Sequence, residues 1–193
     1  MIAGIERADS VTIDAHKWLA TTMGCGIFIT IRPEVLESAF NVSAKFMPSE
    51  IGCSDPYLTS VQWSRRFVGL RLFLALANAG WEGYAAHVEQ SFARLAQLVE
   101  GLTAYGWTLA NPDGLAVACL CPPPGSLAPR QIVENVLASG NAWVSSGMFE
   151  GKEVIRACIT NGETSALDII QVIDALEEAR RSEAAASQIS MSD

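Results

Sequence analysis

Apolar residues come in short runs near the start of the chain, and this pattern predicts two strands followed by a helix. Residues 10–13 and 26–31 are rich in β-branched side chains, which favour strands. Pro33 then opens a short helix that extends to Phe40, because proline is tolerated in the first turn of a helix. Lys17 therefore lies in the connection between two predicted strands.

Helical spacing dominates the middle of the chain. Apolar residues recur every three or four positions between residues 58 and 78, and Gly80 interrupts this run before a second helix over residues 81–102. Residues 41–57 have mixed polarity and little periodicity, which predicts a loop, and loops of that length are often functional.

The remainder of the chain predicts an antiparallel sheet accompanied by helices. A turn at residues 111–114 joins two of the expected strands. The strands are expected over residues 107–109, 115–121, 142–145 and 154–159, and the helices over residues 129–139 and 165–181. Thr164 is expected to cap the last helix, whose inward face would contain Leu167, Ile170, Ile173, Asp174 and Leu176. Residues 182–193 are small and polar and are expected to form a disordered tail.

Composition narrows the class of protein. Half of the 193 residues are hydrophobic, but no apolar run reaches the roughly 20 residues that span a bilayer, and no secretory signal opens the chain. We therefore expect a cytoplasmic protein with no membrane partner. The net charge of -8 argues against a nucleic-acid surface. The spacing of the five cysteines argues against a metal site.

Lys17 is the residue whose surroundings most clearly indicate chemistry. It stands in Asp14-Ala15-His16-Lys17-Trp18, and the chain has only two other lysines, Lys45 and Lys152. A lysine that is partly desolvated beside a large aromatic ring loses its proton more easily, and a neutral amine is what Schiff-base formation with an aldehyde cofactor requires. The alternative is a surface lysine whose stem lies over Trp18. The pentapeptide alone favours neither.

Three separated blocks decide between these interpretations. Residues 4–19 with 23–28, residues 62–72, and residues 139–145 with 156–161 resemble, in the same order, segments of the group II pyridoxal-phosphate-dependent amino-acid decarboxylases. That family includes the aromatic-L-amino-acid, tyrosine and glutamate decarboxylases. The resemblance covers nearly the whole chain and implies that Lys17 is the Schiff-base lysine.

The resemblance also implies a fold and a domain organisation. It implies an α/β protein of the fold-type-I PLP-dependent transferase class (aminotransferase-like), with a partial large domain and an α+β C-terminal small domain. Residues 1–57 would be the C-terminal remnant of the PLP-binding large domain with its mobile loop, residues 58–181 the connecting helices and small domain, and residues 182–193 the tail. The full-length form is expected to be a homodimer.

The implied function is that of a lyase: pyridoxal 5'-phosphate-dependent decarboxylation of an L-amino acid, with an aromatic amino acid as the expected substrate. In the family, the aspartate that binds the pyridine nitrogen, the stacking histidine and the phosphate-binding serines precede the lysine by more than the sixteen residues present before Lys17. The chain is therefore expected to be truncated and inactive alone.

The resemblance assigns roles to two neighbours of Lys17. His16 matches the family histidine beside the cofactor lysine, and Asp14 falls where relatives have a residue that helps to bind the phosphate end. The alternatives are a core histidine bonded to backbone and a turn-forming aspartate at a strand end.

Phe46 matches the position of the tyrosine that returns a proton to the substrate in the family's mobile loop. Phenylalanine has no proton to give, and in relatives that act as aldehyde synthases the same substitution diverts the reaction to aldehyde, ammonia and peroxide. Phe46 is therefore counted with Lys17 among the catalytic positions. The alternatives are that Phe46 only packs the closed loop, or that Tyr57 is a substitute donor.

Other residues are weaker candidates. Arg65 and Arg66 match a paired arginine near the active-site mouth, or they are a solvated helix start. Arg156 is expected to be structural, and the five tryptophans are expected to lie in the core. Three interpretations stay open: a decarboxylase segment, a non-catalytic remnant or assembly module, and a neighbouring pyridoxal class such as a transaminase or sulfur lyase.

Overall fold

The two predicted strands near the start of the chain pair as an antiparallel hairpin. A computed structural model describes residues 2–40, 56–112 and 114–181 of the chain. Strand β1 (Ser10–Asp14) pairs with β2 (Gly26–Thr30), with Ser10 opposite Thr30 and Asp14 opposite Gly26. Helix α1 (Pro33–Phe40) follows, as predicted. The hairpin places the residues between Asp14 and Gly26 in one connecting loop.

The next helix begins later than predicted. Residues Pro56–Leu58 form a short 3-10 turn, and helix α2 spans Gly69–Thr103. The expected start at residue 58 is wrong: Val61 and Phe67, whose spacing suggested a buried helical face, are each 78% exposed and precede the helix.

The predicted break at Gly80 is confirmed. Its backbone has φ 65 and ψ 178, a conformation that essentially only glycine adopts, and it interrupts α2. One compact unit comprises residues 2–80, and the second begins at Trp81. The predicted domain boundary after residue 57 stays a prediction.

The second unit contains a four-stranded antiparallel sheet. Its strands are β3 (Thr108–Leu109), β4 (Val117–Cys121), β5 (Ser145–Phe149) and β6 (Lys152–Cys158), in the order β3-β4-β6-β5. The strand expected over residues 142–145 instead spans Ser145–Phe149, because the turn at Glu150 and Gly151 sets the register of β5 against β6. Both turn residues have positive φ, as two-residue hairpin turns require.

Helices α3 (Pro129–Ser139) and α4 (Ala166–Ala179) complete this unit. Together with α2 and the sheet they enclose its core, in which Trp107, Leu120 and Ile155 are at most 1% exposed. Of the tryptophans expected in the core, Trp63, Trp81 and Trp143 are instead exposed.

Helix α4 differs from its prediction in its N-cap residue and in the residues of its buried face. Ser165, not Thr164, is the N-cap: its hydroxyl accepts a hydrogen bond from the Asp168 N–H, and its own N–H donates to the Asp168 carboxylate. Leu167, Ile170 and Asp174 are exposed, contrary to the prediction, and Ile169, Ile173 and Leu176 are buried. The predicted tail, residues 182–193, lies outside the described residues.

Within the part of the chain that the structure describes, no helix combines the length and the apolar character needed to cross a bilayer.

Candidate active site

The loop that carries Lys17 is held closed by its own backbone. The Lys17 N–H donates to the Asp14 carbonyl at 3.0 Å, the Ala20 N–H to the Lys17 carbonyl at 3.2 Å, and the Thr21 N–H to the Ala15 carbonyl at 3.2 Å. Ala15 is fully buried. These bonds fix Lys17 in a tight turn at the end of β1.

Lys17 forms a salt bridge with Asp14. The distance from Lys17 Nζ to Asp14 Oδ2 is 2.7 Å, and the two side chains are 61% and 42% exposed. The hydrogen bond from Lys17 and its positive charge hold the pKa of the Asp14 carboxyl below its usual range. The expectation that Lys17 is desolvated is wrong for this structure, because most of its side chain lies in solvent.

His16 is tied to the far end of the same loop. Its Nδ1 lies 2.9 Å from the Cys25 carbonyl oxygen, and its backbone N–H donates to that same oxygen at 3.3 Å. Since a ring nitrogen that faces a carbonyl must carry a proton, Nδ1 is the donor in this contact. The imidazole is thus oriented by the loop, immediately beside Lys17 in sequence.

Arg71 also contacts the lysine loop, and the sequence reasoning missed it. Its Nη1 donates to the Thr22 hydroxyl at 2.6 Å, across 49 positions of sequence but within the unit of residues 2–80. The signal that could have identified it is its isolation: it is the one charged side chain in the apolar segment Gly69-Leu70-Arg71-Leu72-Phe73-Leu74-Ala75-Leu76-Ala77-Asn78-Ala79-Gly80.

The other predicted site residues are placed as follows. Phe46 lies outside the described residues, so its role stays a prediction. Tyr57, which the sequence offered as an alternative proton donor, lies against Trp63 with ring centroids 5.6 Å apart and ring planes tilted by 43°. Arg65 and Arg66 are exposed and line an open cavity of about 840 Å³ together with apolar side chains of the same unit.

Arg156 belongs to the second unit. It lies on β6, opposite Cys119 of β4 and Ser145 of β5, and its side chain is exposed. Burial raises the pKa of the Cys119 thiol, which keeps that thiol protonated at neutral pH.

The residues around Lys17 fit the aldehyde end of pyridoxal phosphate. An exposed primary amine, fixed in position by a hydrogen-bonded turn, is accessible to an aldehyde in solution. His16 offers an oriented imidazole at the same turn. The groups of this loop therefore fit a covalent carbonyl site.

Comparison with known proteins points to the same chemistry. The sequence profile of the pyridoxal-dependent decarboxylase conserved domain matches residues 1–106, which include the lysine loop. The chain is 26% identical over 191 residues to an aromatic-L-amino-acid decarboxylase of Bacillus atrophaeus, covering 90% of this chain and 39% of that protein. It is 23% identical over 197 residues to a phenylacetaldehyde synthase of a Rosa hybrid cultivar, covering 92% of this chain and 39% of that protein.

The fold is shared with solved structures. The crystal structure of Oryza sativa TDC with PLP and tryptamine superposes on 94% of this chain with a TM-score of 0.84 at 18% sequence identity, and the match covers 40% of that protein. The predicted fold class, a partial fold-type-I PLP-dependent enzyme, is confirmed. The chain spans about two fifths of the length of the relatives it matches.

Proposed function

The chain belongs to the pyridoxal-dependent decarboxylase family, and from this premise we propose that it carries the cofactor-binding lysine of a carboxy-lyase acting on an L-amino acid. The observation that supports this proposal is Lys17 itself: an exposed amine, held in a fixed turn, inside the segment that matches the family profile.

Each residue of the loop has a proposed part. Lys17 holds pyridoxal 5'-phosphate covalently through Nζ, and His16 contacts the cofactor with its oriented ring. Asp14 helps to bind the phosphate end through its backbone, and its carboxylate holds Lys17 Nζ in position before the cofactor arrives. When bound, pyridoxal phosphate supplies an electron sink for the electron pair left behind by carbon dioxide.

We propose an aromatic amino acid as the substrate. The support is the character of the relatives: the Bacillus atrophaeus protein is named an aromatic-L-amino-acid decarboxylase. The third interpretation from the sequence, a transaminase or sulfur lyase, loses its basis because the family profile that matches is that of the decarboxylases.

The first experiment is an absorbance titration of the purified chain with pyridoxal phosphate, followed by borohydride reduction and peptide mapping. We expect a visible absorbance band and a reduced label on Lys17. Lys17→Ala should abolish both. Lys152→Ala is the matched control, because Lys152 lies on β6 in the other unit, and it should leave both unchanged.

Two outcomes would contradict the proposal. One is the absence of a band at saturating cofactor, which would favour the non-catalytic assembly module. The other is a label spread evenly over Lys17, Lys45 and Lys152, which would indicate reaction with any accessible amine. If the label is specific, release of carbon dioxide from aromatic L-amino acids is measured next.

Phe46 supports a second candidate function, that of an aldehyde synthase. The residue expected at this position is a proton-donating tyrosine, and phenylalanine cannot donate a proton. One of the similar proteins, from a Rosa hybrid cultivar, is named a phenylacetaldehyde synthase. We therefore propose that decarboxylation by this protein is coupled to oxidative deamination, with molecular oxygen as the oxidant and aldehyde, ammonia and peroxide as products.

Phe46→Tyr tests this second candidate. Restoring the hydroxyl should raise the yield of amine and lower the yield of peroxide, both measured against carbon dioxide released. Tyr57→Phe is the companion variant, since Tyr57 is the substitute donor. An unchanged ratio of amine to peroxide in Phe46→Tyr would rule out the proposed role of Phe46.

We further propose that the full-length form is a homodimer located in the cytoplasm. The unit of residues 2–80 exposes large apolar side chains such as Phe28, Phe67 and Phe73, which suits a surface that another polypeptide covers. The cysteines of the described residues are free thiols, as in a reducing compartment. Analytical ultracentrifugation of the full-length form measures the oligomeric state, and a monomer at micromolar concentration would contradict the dimer.

A further inference from the structure

The contact between Arg71 and Thr22 connects helix α2 to the loop that carries Lys17. Both residues belong to the unit of residues 2–80, and the donor and acceptor atoms are 2.6 Å apart. A hydrogen bond from a charged guanidinium is shorter and stronger than one between neutral groups. Arg71 is also the one charged side chain between Gly69 and Gly80, so the helix offers no neighbouring cation in its place.

Thr22 lies at the end of the turn that carries Lys17. It directly follows Thr21, whose N–H closes the turn onto Ala15. Between Lys17 and Thr21 the backbone passes through Ala20, which has φ 50, a left-handed conformation that costs an alanine roughly 1 kcal/mol or more. A strained turn persists only where its ends are held. Thr22 is the end that Arg71 holds.

We propose that Arg71 is a positioning residue for Lys17. It acts through Thr22: the guanidinium fixes the hydroxyl, the fixed Thr22 keeps the strained turn closed, and the closed turn holds the Lys17 amine in one place. This inference rests on the proposed function for the role of Lys17, but the mechanical link between Arg71 and the turn does not.

The geometry of the donor makes the proposal specific for arginine. A guanidinium presents its N–H groups in a rigid plane, whereas a lysine ammonium is a point charge on a flexible stem. Arg71→Met keeps an unbranched apolar stem and removes the donor. Arg71→Lys keeps a donor and should restore part of the effect. Thr22→Val removes the acceptor at nearly constant side-chain shape and leaves Arg71 intact.

The first arm of the test needs no cofactor. Hydrogen exchange is followed by mass spectrometry in peptides that cover residues 15–25. Loss of one hydrogen bond of this kind should raise the exchange of the turn amides about fivefold in Arg71→Met and in Thr22→Val. The double variant should exchange no faster than either single variant, because both remove the same bond. Arg71→Lys should be intermediate.

Arg130→Met is the matched control for this arm. Arg130 pairs with Glu134 on the exposed surface of α3, in the other unit, and its loss should leave residues 15–25 unchanged. Unchanged exchange in Arg71→Met and Thr22→Val would overturn the proposal, and so would effects that multiply in the double variant. Thr22→Val keeps the test valid if Arg71→Met fails to fold.

The second arm measures where pyridoxal phosphate reacts. After borohydride reduction, the share of label on Lys17 relative to Lys152 should fall about fivefold in Arg71→Met and in Thr22→Val. The midpoint of urea unfolding should stay unchanged. A residue with only a structural role would lower that midpoint and leave the share of label constant, which would overturn the proposal.

The two arms separate this inference from the proposed function. If the unaltered chain gives no label on Lys17, the proposed function fails, and the exchange of residues 15–25 still decides whether Arg71 holds the turn. If Lys17 is labelled specifically and its share is the same in all variants, the proposed function stands and the positioning role of Arg71 fails.

Discussion

The two compact units of this chain differ in what they bury. Among the described residues of the unit that begins at Trp81, eighteen buried apolar residues form one continuous core, contributed by three helices, the sheet and the segments that flank its strands. Among the described residues of the unit 2–80, only Ala15 and Cys25 are buried. Yet the unit of residues 2–80 carries Lys17 and most of the exposed large apolar side chains of the described chain.

The difference shows that the candidate chemistry and the packing energy are located in different parts of the chain. Burial of apolar surface supplies most of the stability of a domain, whereas a two-stranded hairpin alone is marginal in water. The Lys17 loop is therefore held by hydrogen bonds rather than by a core. We expect local opening to be easier in residues 2–80 than in the second unit.

The largest expected loss of stability comes from a substitution in the core of the second unit. Trp107→Ala removes a side chain that is 1% exposed and should cost about 3–5 kcal/mol of unfolding free energy. Phe28→Ala in the hairpin, where the ring is 54% exposed, should cost less than about 1 kcal/mol. Urea unfolding followed by circular dichroism measures both.

Trp143→Ala is the matched control for this pair, since Trp143 belongs to the same unit as Trp107 but is 78% exposed. It should behave like Phe28→Ala. If Phe28→Ala costs as much as Trp107→Ala, the hairpin has a core after all and the contrast between the units is wrong.

The next effect concerns Glu177, a buried carboxylate in the core of the second unit. It accepts hydrogen bonds from Trp107 Nε1 at 2.6 Å, from Arg180 Nε at 2.6 Å and from Arg181 Nη2 at 2.8 Å. Glu177→Gln leaves these donors poorly paired and should cost about 2 kcal/mol at neutral pH. Glu134→Gln, at an exposed pair, should change stability by less than about 0.5 kcal/mol.

The effect of Glu177→Gln should depend on pH. Burial raises the pKa of Glu177, but hydrogen bonds from Arg180 and Trp107 and the charges of Arg180 and Arg181 outweigh it, so the folded pKa lies below the usual 4.5. The carboxylate therefore contributes its full stability above pH 4.5, and this contribution is lost as the pH falls toward the folded pKa. A difference between wild type and Glu177→Gln that stays constant below pH 4.5 would contradict this account.

A smaller effect tests how tightly the second unit is packed. A methyl group at Gly101 of α2 would collide with the Cδ1 of Ile173 on α4. Gly101→Ala should therefore cost about 1 kcal/mol, because overpacking outweighs the gain in helix propensity. Gly83→Ala, at an exposed position of the same helix, should instead stabilise by about 0.5 kcal/mol. Equal effects at the two glycines, measured by urea unfolding, would mean that α2 and α4 are not closely packed.

The smallest expected change in stability is at Ala20, in the loop that carries Lys17. Ala20→Gly removes the strain of a positive φ, which stabilises the fold, but it raises the conformational entropy of the unfolded chain, which destabilises the fold. Because the two contributions nearly cancel, the free energy of unfolding should change by less than about 0.5 kcal/mol. The same substitution at Ala138, exposed within α3, has no strain to relieve and should cost about 1 kcal/mol. Thermal unfolding of the two variants compares them directly. A larger loss at Ala20 than at Ala138 would show that the turn is unstrained.

The helices whose bounds the sequence predicted well are those that begin or break at a proline or a glycine. Gly80 breaks α2, Pro33 opens α1, and α3 occupies the predicted residues, since glycine and proline restrict the backbone wherever they stand. The late start of α2 and the shift of β5 depend on tertiary packing and on hairpin register, which periodicity does not contain.

The sequence predicted only those residues of the candidate site that are neighbours along the chain. Asp14, His16 and Lys17 are neighbours, so one motif revealed all three. The orientation of His16 by the Cys25 carbonyl requires the closed hairpin. The contact of Arg71 with Thr22 joins positions 49 residues apart, and only the folded chain brings them together. Exposure of Lys17 was missed because an adjacent tryptophan in sequence need not cover its neighbour in space.

Gly80 has a practical meaning for anyone who wishes to study the two units separately. Its backbone conformation is one that other residues adopt only with strain, so a regular helix does not continue through this position. All eighteen members of the buried core lie after that residue. A gene designed to begin at Trp81 would keep the whole described core in one polypeptide.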